Sequence, residues 1–275
     1  MVSNLSITFM IISLIICLVL PIVGIIYLKR KYKVKLKTFF IGMLAFFIAV
    51  QVLEAPIHYY LLSINKATSQ FIMGSSIVYM LYGGLMAGIF EETARLISFK
   101  YLIKDRDNTT AITYGLGHGG IEAILIGGIS CINSIVYSIF INNGSFQSMM
   151  KAASVSEDLI SKTYNQYVNS SSFLFLMTGV ERILALSIQI SLSVLVFYAV
   201  KEKKYIYFFV AVLCHALIDF PAGLYQMGVI SNIYIVELLI LVEVIVLVIL
   251  IFKKLIKKIR LIMKLFRKSC IILLK

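Results

Sequence analysis

The chain has 275 residues, of which 60% are hydrophobic and only 14% charged, and its mean hydropathy is +0.97. This charge content excludes an ordinary soluble domain, because such domains carry about 25% charged residues. The net charge of +13 does not indicate a nucleic-acid partner, since most Lys and Arg residues lie at the ends of apolar segments, where they act as membrane topology signals. We therefore expect a multi-pass protein of the cell membrane that does not bind nucleic acid.

Seven apolar segments are long enough to cross a bilayer, which takes about 20 helical residues. In chain order they cover residues 6–28, 38–64, 71–103, 111–142, 172–199, 205–224 and 231–252. The third and fourth exceed one straight crossing, so we expect a tilt, a break or a projecting end in each. Pro221 is expected to end or kink the sixth.

The predicted fold class is an all-α bundle of about seven transmembrane helices. We expect a single transmembrane domain over residues 1–252, followed by a basic amphipathic tail over residues 253–275 that lies along the anionic inner leaflet. Residues 143–171 are expected to form a polar external loop with one weakly helical portion. The lipid bilayer is thus the first predicted partner.

The distribution of basic residues predicts the orientation of the chain. The segments 29–37, 100–107 and 200–204 and the tail from residue 253 contain 6, 3, 3 and 9 Lys and Arg residues, a total of 21. The segments on the opposite side contain three, which are Lys66, Lys151 and Lys162. Because positive loops stay in the cytoplasm, the N-terminus is predicted to be outside and the C-terminus inside.

Three stretches place ionisable side chains inside the apolar segments. They are Glu91-Glu92-x-x-Arg95, His118-Gly-Gly-Ile-Glu122 and His215-Ala-Leu-Ile-Asp219. Burying a charge in hydrocarbon costs about 2.5–3.5 kcal/mol per residue even on the lenient insertion scale, so such groups persist where they pair and have a function. Residues four apart share one helix face. These stretches are therefore expected to build one polar site within the membrane.

The residue types suit hydrolysis of a peptide bond. If Arg95 holds one of the two adjacent glutamates, the other is free to act as a general base towards water, and histidines on facing helices can stabilise an oxyanion or protonate the leaving group. His118, His215 and Glu91 are also a donor set that suits zinc (Zn²⁺). The HExxH motif is absent, so a glutamic-type and a metal-dependent mechanism both stay open, and zinc is the one cofactor the residues suggest.

The same motifs resemble the YhfC family of intramembrane peptidases over about residues 80–225. The matching residues are Glu91-Glu92-x-x-Arg95, Tyr114-x-x-x-His118-Gly-Gly-Ile-Glu122, Glu181-Arg182 and His215-x-x-x-Asp219. That family is similar to the CAAX-processing and bacteriocin-processing (CPBP) proteases, whose pattern is EExxxR, FxxxH and HxxxN or HxxxD, and more loosely to the PrsW proteases. In this chain the first motif is one residue shorter, and Tyr114 replaces Phe.

The resemblance implies a role for each matching residue. Glu91 would activate the water, while Glu92 or Arg95 holds the local geometry. His118 would assist the reaction, and His215 with Asp219 would complete the contacts to or around the oxyanion. Glu122 belongs to the same candidate set. Supporting roles fall to Tyr114 and to Glu181 and Arg182, whose adjacent side chains diverge by about 100° on a helix and are expected to find partners on other helices.

The predicted function is that of an intramembrane endopeptidase, and its second predicted partner is a membrane protein or peptide substrate. An ion- or proton-coupled transporter would also place Glu, His and Asp side chains at mid-depth. The sequence shows no convincing inverted repeat, which counts against a transporter. A catalytically silent bacteriocin-immunity or scaffold protein is the third alternative.

Overall fold

A computed structural model describes residues 1–251 of the chain, so the predicted tail over 253–275 lies outside the described residues. Residues 1–251 form helices and no strand, which confirms the all-α fold class. The helices are α1 Asn4–Tyr32, α2 Leu36–Ile64, α3 Lys66–Met73, α4 Ser76–Leu102, α5 Asn108–Asn142, α6 Phe146–Ala152, α7 Glu157–Asn169, α8 Ser172–Lys201, α9 Ile206–Gln226 and α10 Ile233–Ile251.

Within the described part of the chain, six helices are long and apolar enough to cross a membrane, or seven if α3 and α4 form one broken span. The axes of α3 and α4 meet at 107°, which confirms the break expected in the third apolar segment. The break lies at Gly74 and Ser75, and Ser75 has an extended backbone, so the long helix begins at Ser76 and not at residue 71. Pro221 does not end the sixth segment, because α9 continues to Gln226.

The polar segment 143–171 is more ordered than a loop with one weak helix, because it forms both α6 and α7. Each of these helices has an apolar face. Phe146 and Met150 of α6 and Ile160 of α7 are buried in one cluster with Met10 of α1 and Ile141 of α5. Burial of that face supplies the folding energy that the polar sequence alone does not indicate.

The chain divides into two compact units, each described by itself here. The first comprises Met1–Gln51 with Asp105–Ile190, and the second comprises Val52–Lys104 with the described residues from Ser191 onward. The prediction of a single transmembrane domain over 1–252 stays a prediction.

In the first unit, α2 and α5 pack backbone against backbone. A Cβ atom added at Gly42 would lie 2.3 Å from the Tyr114 carbonyl oxygen, and one added at Gly117 would lie 2.0 Å from the Phe39 carbonyl oxygen. No residue other than glycine fits at such separations. Gly117 precedes His118, so this close packing carries His118 into the interior of the unit.

In the second unit, α4 and α9 approach one another in the same way. A Cβ atom at Gly84 would lie 2.6 Å from the Ala216 carbonyl oxygen, and one at Gly88 would lie 2.7 Å from the Val212 carbonyl oxygen. The glycines are four apart, so they form one stripe of small residues on α4. The acidic motif of α4 follows this stripe within one turn, and the close packing therefore brings its side chains within reach of α9.

We expect Gly117→Ala to lower the free energy of unfolding by about 1–3 kcal/mol, because the added methyl group must push apart the backbones of α2 and α5. The matched control is Gly83→Ala, since a Cβ at Gly83 has no atom within 4 Å. The control should be neutral or stabilising by up to about 1 kcal/mol, from the higher helix propensity of Ala. Unfolding in detergent followed by far-UV circular dichroism measures both. Equal effects of the two substitutions would contradict the close packing.

Candidate active site

Arg95 organises the acidic motif of α4. Its guanidinium group is fully buried and donates to Glu92 Oε1 through Nη1, while Nη2 lies 3.5 Å from Glu91 Oε2. Its Nε donates to the Ser193 hydroxyl oxygen of α8 at 3.2 Å. One arginine reaches both carboxylates because Glu92 and Glu91 precede it by three and four residues on the helix. Both glutamates therefore contact Arg95, which the sequence left undecided.

His215 of α9 completes this group. Its Nδ1 lies 2.7 Å from Glu92 Oε1, and its Nε2 lies 3.8 Å from Glu91 Oε1 and 3.6 Å from Asp219 Oδ2. Because a carboxylate accepts hydrogen bonds, the bond to Glu92 places the ring proton on Nδ1 and turns Nε2 towards the other two carboxylates. We call Glu91, Glu92, Arg95, Ser193, His215 and Asp219 the Glu–Arg–His cluster.

The Glu–Arg–His cluster brings together five of the residues predicted from the sequence. Four of them are almost wholly buried, and the Asp219 side chain is 39% exposed, so the cluster reaches the molecular surface through Asp219. The cluster contains three carboxylates, one guanidinium group and one imidazole. Its own charges thus sum to −1 even with the imidazole protonated. A net negative charge within apolar helices favours a bound cation or proton.

The residue types of the cluster suit a divalent metal. Ligands of a tetrahedral zinc ion lie about 3.3–3.6 Å from one another, and His215 Nε2 has two carboxylate oxygens at 3.6 and 3.8 Å. A metal-binding histidine normally donates its other ring N–H to a carboxylate, as Nδ1 does here to Glu92. Within residues 1–251, no group of three or more His, Cys, Asp and Glu side chains is placed so that it could hold a metal ion, so the fit to zinc rests on residue types and on these pairwise distances.

A second buried ion-pair group lies in the first unit, on α5 and α8. Arg182 Nη1 donates to Glu122 Oε1 at 3.0 Å, and Gln189 Nε2 donates to Glu122 Oε2 at 2.5 Å. Arg182 also pairs with the adjacent Glu181. The expectation that both would find partners on other helices is correct for Arg182 and wrong for Glu181, because the flexible arginine side chain bends back to its neighbour despite the 100° offset.

His118 and Tyr114 also lie in the first unit, and both are fully buried. The imidazole ring packs edge-to-face on Phe46 of α2, with centroids 5.1 Å apart and planes at 81°. On its own helix it packs against the Tyr114 ring at 5.8 Å. These contacts fix the ring by its apolar surfaces. A shared role of His118 with His215 and Glu91 stays a prediction from the sequence.

Two residues of these clusters were missed by the sequence analysis. Gln189 is the one amide side chain within α8, and it lies two turns from Arg182 on the same face, so its polarity in an apolar segment is a usable signal. Ser193 gives no such signal, because serine is common at helix contacts in membranes. Its function here is visible only from its bond to Arg95.

Comparison with known proteins agrees with these motifs. The chain matches the family model described as YhfC intramembrane metalloprotease over residues 16–240. A Bacillus subtilis (strain 168) protein named "Uncharacterized membrane protein YhfC" is 41% identical over 242 residues, which cover 87% of this chain and 93% of the relative. No solved structure matches. The wider grouping with CPBP and PrsW proteases stays a prediction.

Substituting Arg95 by Met should lower the free energy of unfolding by about 3–5 kcal/mol, because it leaves the Glu91 and Glu92 carboxylates buried beside an apolar side chain. Adding Glu92→Gln should recover part of that loss, since one of the two charges is removed. A double-mutant cycle measured by denaturation in detergent gives this coupling. Lys162→Met is the control, because its pair with Asp158 is exposed and should contribute below about 1 kcal/mol. Strict additivity of Arg95→Met and Glu92→Gln would refute the coupling.

Proposed function

This chain belongs to the YhfC intramembrane metalloprotease family, and from that premise we propose that it is an endopeptidase that hydrolyses a peptide bond of a membrane-associated protein or peptide. The observation that carries the proposal is the contact of His215 with Glu92 inside the membrane-spanning helices. The Glu92 carboxylate orients the His215 ring so that Nε2 faces Glu91 and Asp219. The family match supports the choice of a peptidase over the transporter and silent-scaffold alternatives.

His215 Nε2 and Asp219 would hold a zinc ion in this proposal, and Glu91, which the sequence analysis named among the zinc donors, is assigned to the base instead. The part of His118 in zinc binding stays a prediction from the sequence. A bound zinc ion would supply Lewis-acid activation of a water molecule and of the scissile carbonyl. Glu92 keeps His215 in the required tautomer and orientation. Arg95 holds both glutamates, so their carboxylates stay in place while protons move nearby.

Glu91 acts as the general base. Its Oε1 faces His215 Nε2, and its Oε2 is held by Arg95, so one oxygen is positioned and the other points into the cluster. Glu91 takes a proton from the water whose oxygen attacks the scissile carbonyl carbon. It then gives that proton to the amine nitrogen as the C–N bond breaks, which returns the carboxylate to its starting state.

The proposed orientation places the N-terminus outside and the Glu–Arg–His cluster in the cytoplasmic half of the membrane. Glu91 lies eleven residues from the end of α4 at Leu102, and His215 lies nine residues from the start of α9 at Ile206. At 1.5 Å per residue these separations are about 16 and 14 Å. Water and substrate would therefore enter from the cytoplasmic side.

We expect a cysteine at Ser156 to react with a membrane-impermeant maleimide on intact cells. A cysteine at Lys203 should react only after permeabilisation, because the orientation follows the excess of basic residues near Lys203. A cysteine-free background is required, since Cys17, Cys131, Cys214 and Cys270 are native. The reverse labelling pattern would overturn the orientation.

The function is tested with the detergent-purified full chain by metal analysis and by cleavage of a library of peptides with transmembrane segments in proteoliposomes. We expect one zinc ion per chain. Glu91→Gln should keep the zinc and slow cleavage by about 10²–10⁴-fold, the usual contribution of a general base. His215→Gln should lose zinc, and zinc analysis of His118→Gln tests the donor predicted from the sequence. The control is Glu157→Gln, whose side chain is 73% exposed and which should cleave normally.

Other outcomes distinguish the alternatives. Cleavage that persists in metal-free, chelator-treated protein but is lost in Glu91→Gln would make the enzyme a glutamic-type protease. Zinc binding that survives His118→Gln would remove that residue from the ligand set. No cleavage by the wild-type chain with or without metal would contradict the peptidase and favour the transporter or the silent scaffold.

A further inference from the structure

A cavity of about 250 Å³ lies at one end of the helices of the first unit, where α1 ends and α2 and α5 begin. The residues used here are Lys33, Lys35, Thr38, Asp105, Asp107 and Thr110, and we call this space the headgroup cavity. At about 30 Å³ per molecule it has room for about eight waters. None of these residues belongs to the clusters described above.

Two threonines give the headgroup cavity a built polar wall. Thr38 and Thr110 are each only 6% exposed, and both line the cavity. Neither hydroxyl has a hydrogen-bond partner within residues 1–251. Neither hydroxyl oxygen is among the buried unpaired atoms of residues 1–251, so both keep access to the cavity and can bond to a polar group that enters it. Their positions therefore indicate a polar ligand in this space.

Charges of both signs surround the same space. Lys35 Nζ lies 3.0 Å from Asp105 Oδ2, and this bond lowers the pKa of the Asp105 carboxyl group, so the two neutralise each other. Lys33 and Asp107 remain as one positive and one negative side chain on the cavity wall. Asp107 is the N-cap residue of α5 and makes no side-chain cap bond, and Asp107 and Thr110 both line the cavity, so the positive end of this 35-residue helix lies beside it.

We propose that the headgroup cavity binds a zwitterionic phospholipid headgroup that carries a phosphate and a primary ammonium, the phosphoethanolamine group. The phosphate takes hydrogen bonds from Lys33, the threonine hydroxyls and the start of α5, and the ammonium donates to Asp107. Phospholipid is the source because the cavity lies at helix ends, where headgroups are found. This site is separate from the proposed peptidase activity and does not depend on it.

The mixed charges exclude the simpler ligands. An anionic headgroup without an ammonium would leave Asp107 facing a phosphate, and a quaternary ammonium has no N–H to donate to that carboxylate. A primary ammonium offers three donors in a small volume. The cavity is thus predicted to distinguish phosphatidylethanolamine from phosphatidylcholine and from phosphatidylglycerol.

The test measures binding of short-chain phosphatidylethanolamine to the full chain in detergent, beside phosphatidylcholine, phosphatidylglycerol and free phosphoethanolamine. Two variants remove cavity groups. Lys33→Gly suits the positive φ of 52° at that residue, and Thr110→Val keeps the side-chain shape. We expect saturable binding of phosphatidylethanolamine that weakens at least tenfold in either variant. Lys37→Gln, outside the cavity lining, should bind as the wild type.

Circular dichroism of each variant separates loss of binding from loss of folding, and Lys33→Gly alone decides if Thr110→Val does not fold. Equal affinity for the three lipids, or affinity unchanged in Lys33→Gly, would overturn the proposal. Binding of free phosphoethanolamine as tight as that of the lipid would keep the headgroup chemistry and overturn the lipid source. Impaired peptide cleavage with unchanged lipid binding in Lys33→Gly would make the cavity a substrate site instead.

Discussion

The second unit depends on one arginine that holds two adjacent carboxylates in an apolar interior. Arg95 is fully buried and contacts Glu92, Glu91 and Ser193, so each of its three guanidinium nitrogens has a partner. Such a group is stable in hydrocarbon only with close geometry and further hydrogen bonds. His215 contacts Glu92, and this bond joins the acidic motif of α4 to the His215–Asp219 pair of α9. The need to pair the buried Arg95 charge accounts for the placement of Glu91 and Glu92 beside it, and the bond to Glu92 then sets the tautomer of His215.

Each unit buries an arginine beside carboxylates, and a different side chain completes the polar group in each. In the first unit, Arg182 pairs with Glu122 and Glu181, and Gly127 makes room for it, since a Cβ there would lie 2.7 Å from Arg182 Cγ. Its group is completed by the amide of Gln189. In the second unit an imidazole takes that place. An imidazole can carry a proton on either ring nitrogen and an amide does not change its protonation, so the second group contains a side chain suited to proton transfer that Gln189 does not provide.

Local features of the fold were predictable from the sequence, and nonlocal ones were not. The helices follow from apolar segments of membrane length, and the contacts of Arg95 with Glu91 and of His215 with Asp219 follow from four-residue spacing on a helix. The bond between Glu92 and His215 joins residues 123 positions apart, and no spacing rule gives it. The sequence predicted a tilt, a break or a projecting end in the third apolar segment, but not the position of the break at Gly74 and Ser75 or its angle. The pair of Glu181 with Arg182 depends on a flexible side chain that helix geometry does not fix.

The long sequence separation of the α4–α9 contact has a consequence for biosynthesis. At about 5–20 residues per second, the ribosome needs roughly 6–25 s to make the 123 residues between Glu92 and His215. During that time α4 is in the membrane without the helix whose carbonyl groups fit against Gly84 and Gly88. Until α9 arrives, Glu92 has Arg95 of its own helix as a partner but lacks the His215 imidazole. The second unit therefore acquires its complete polar group only late in synthesis.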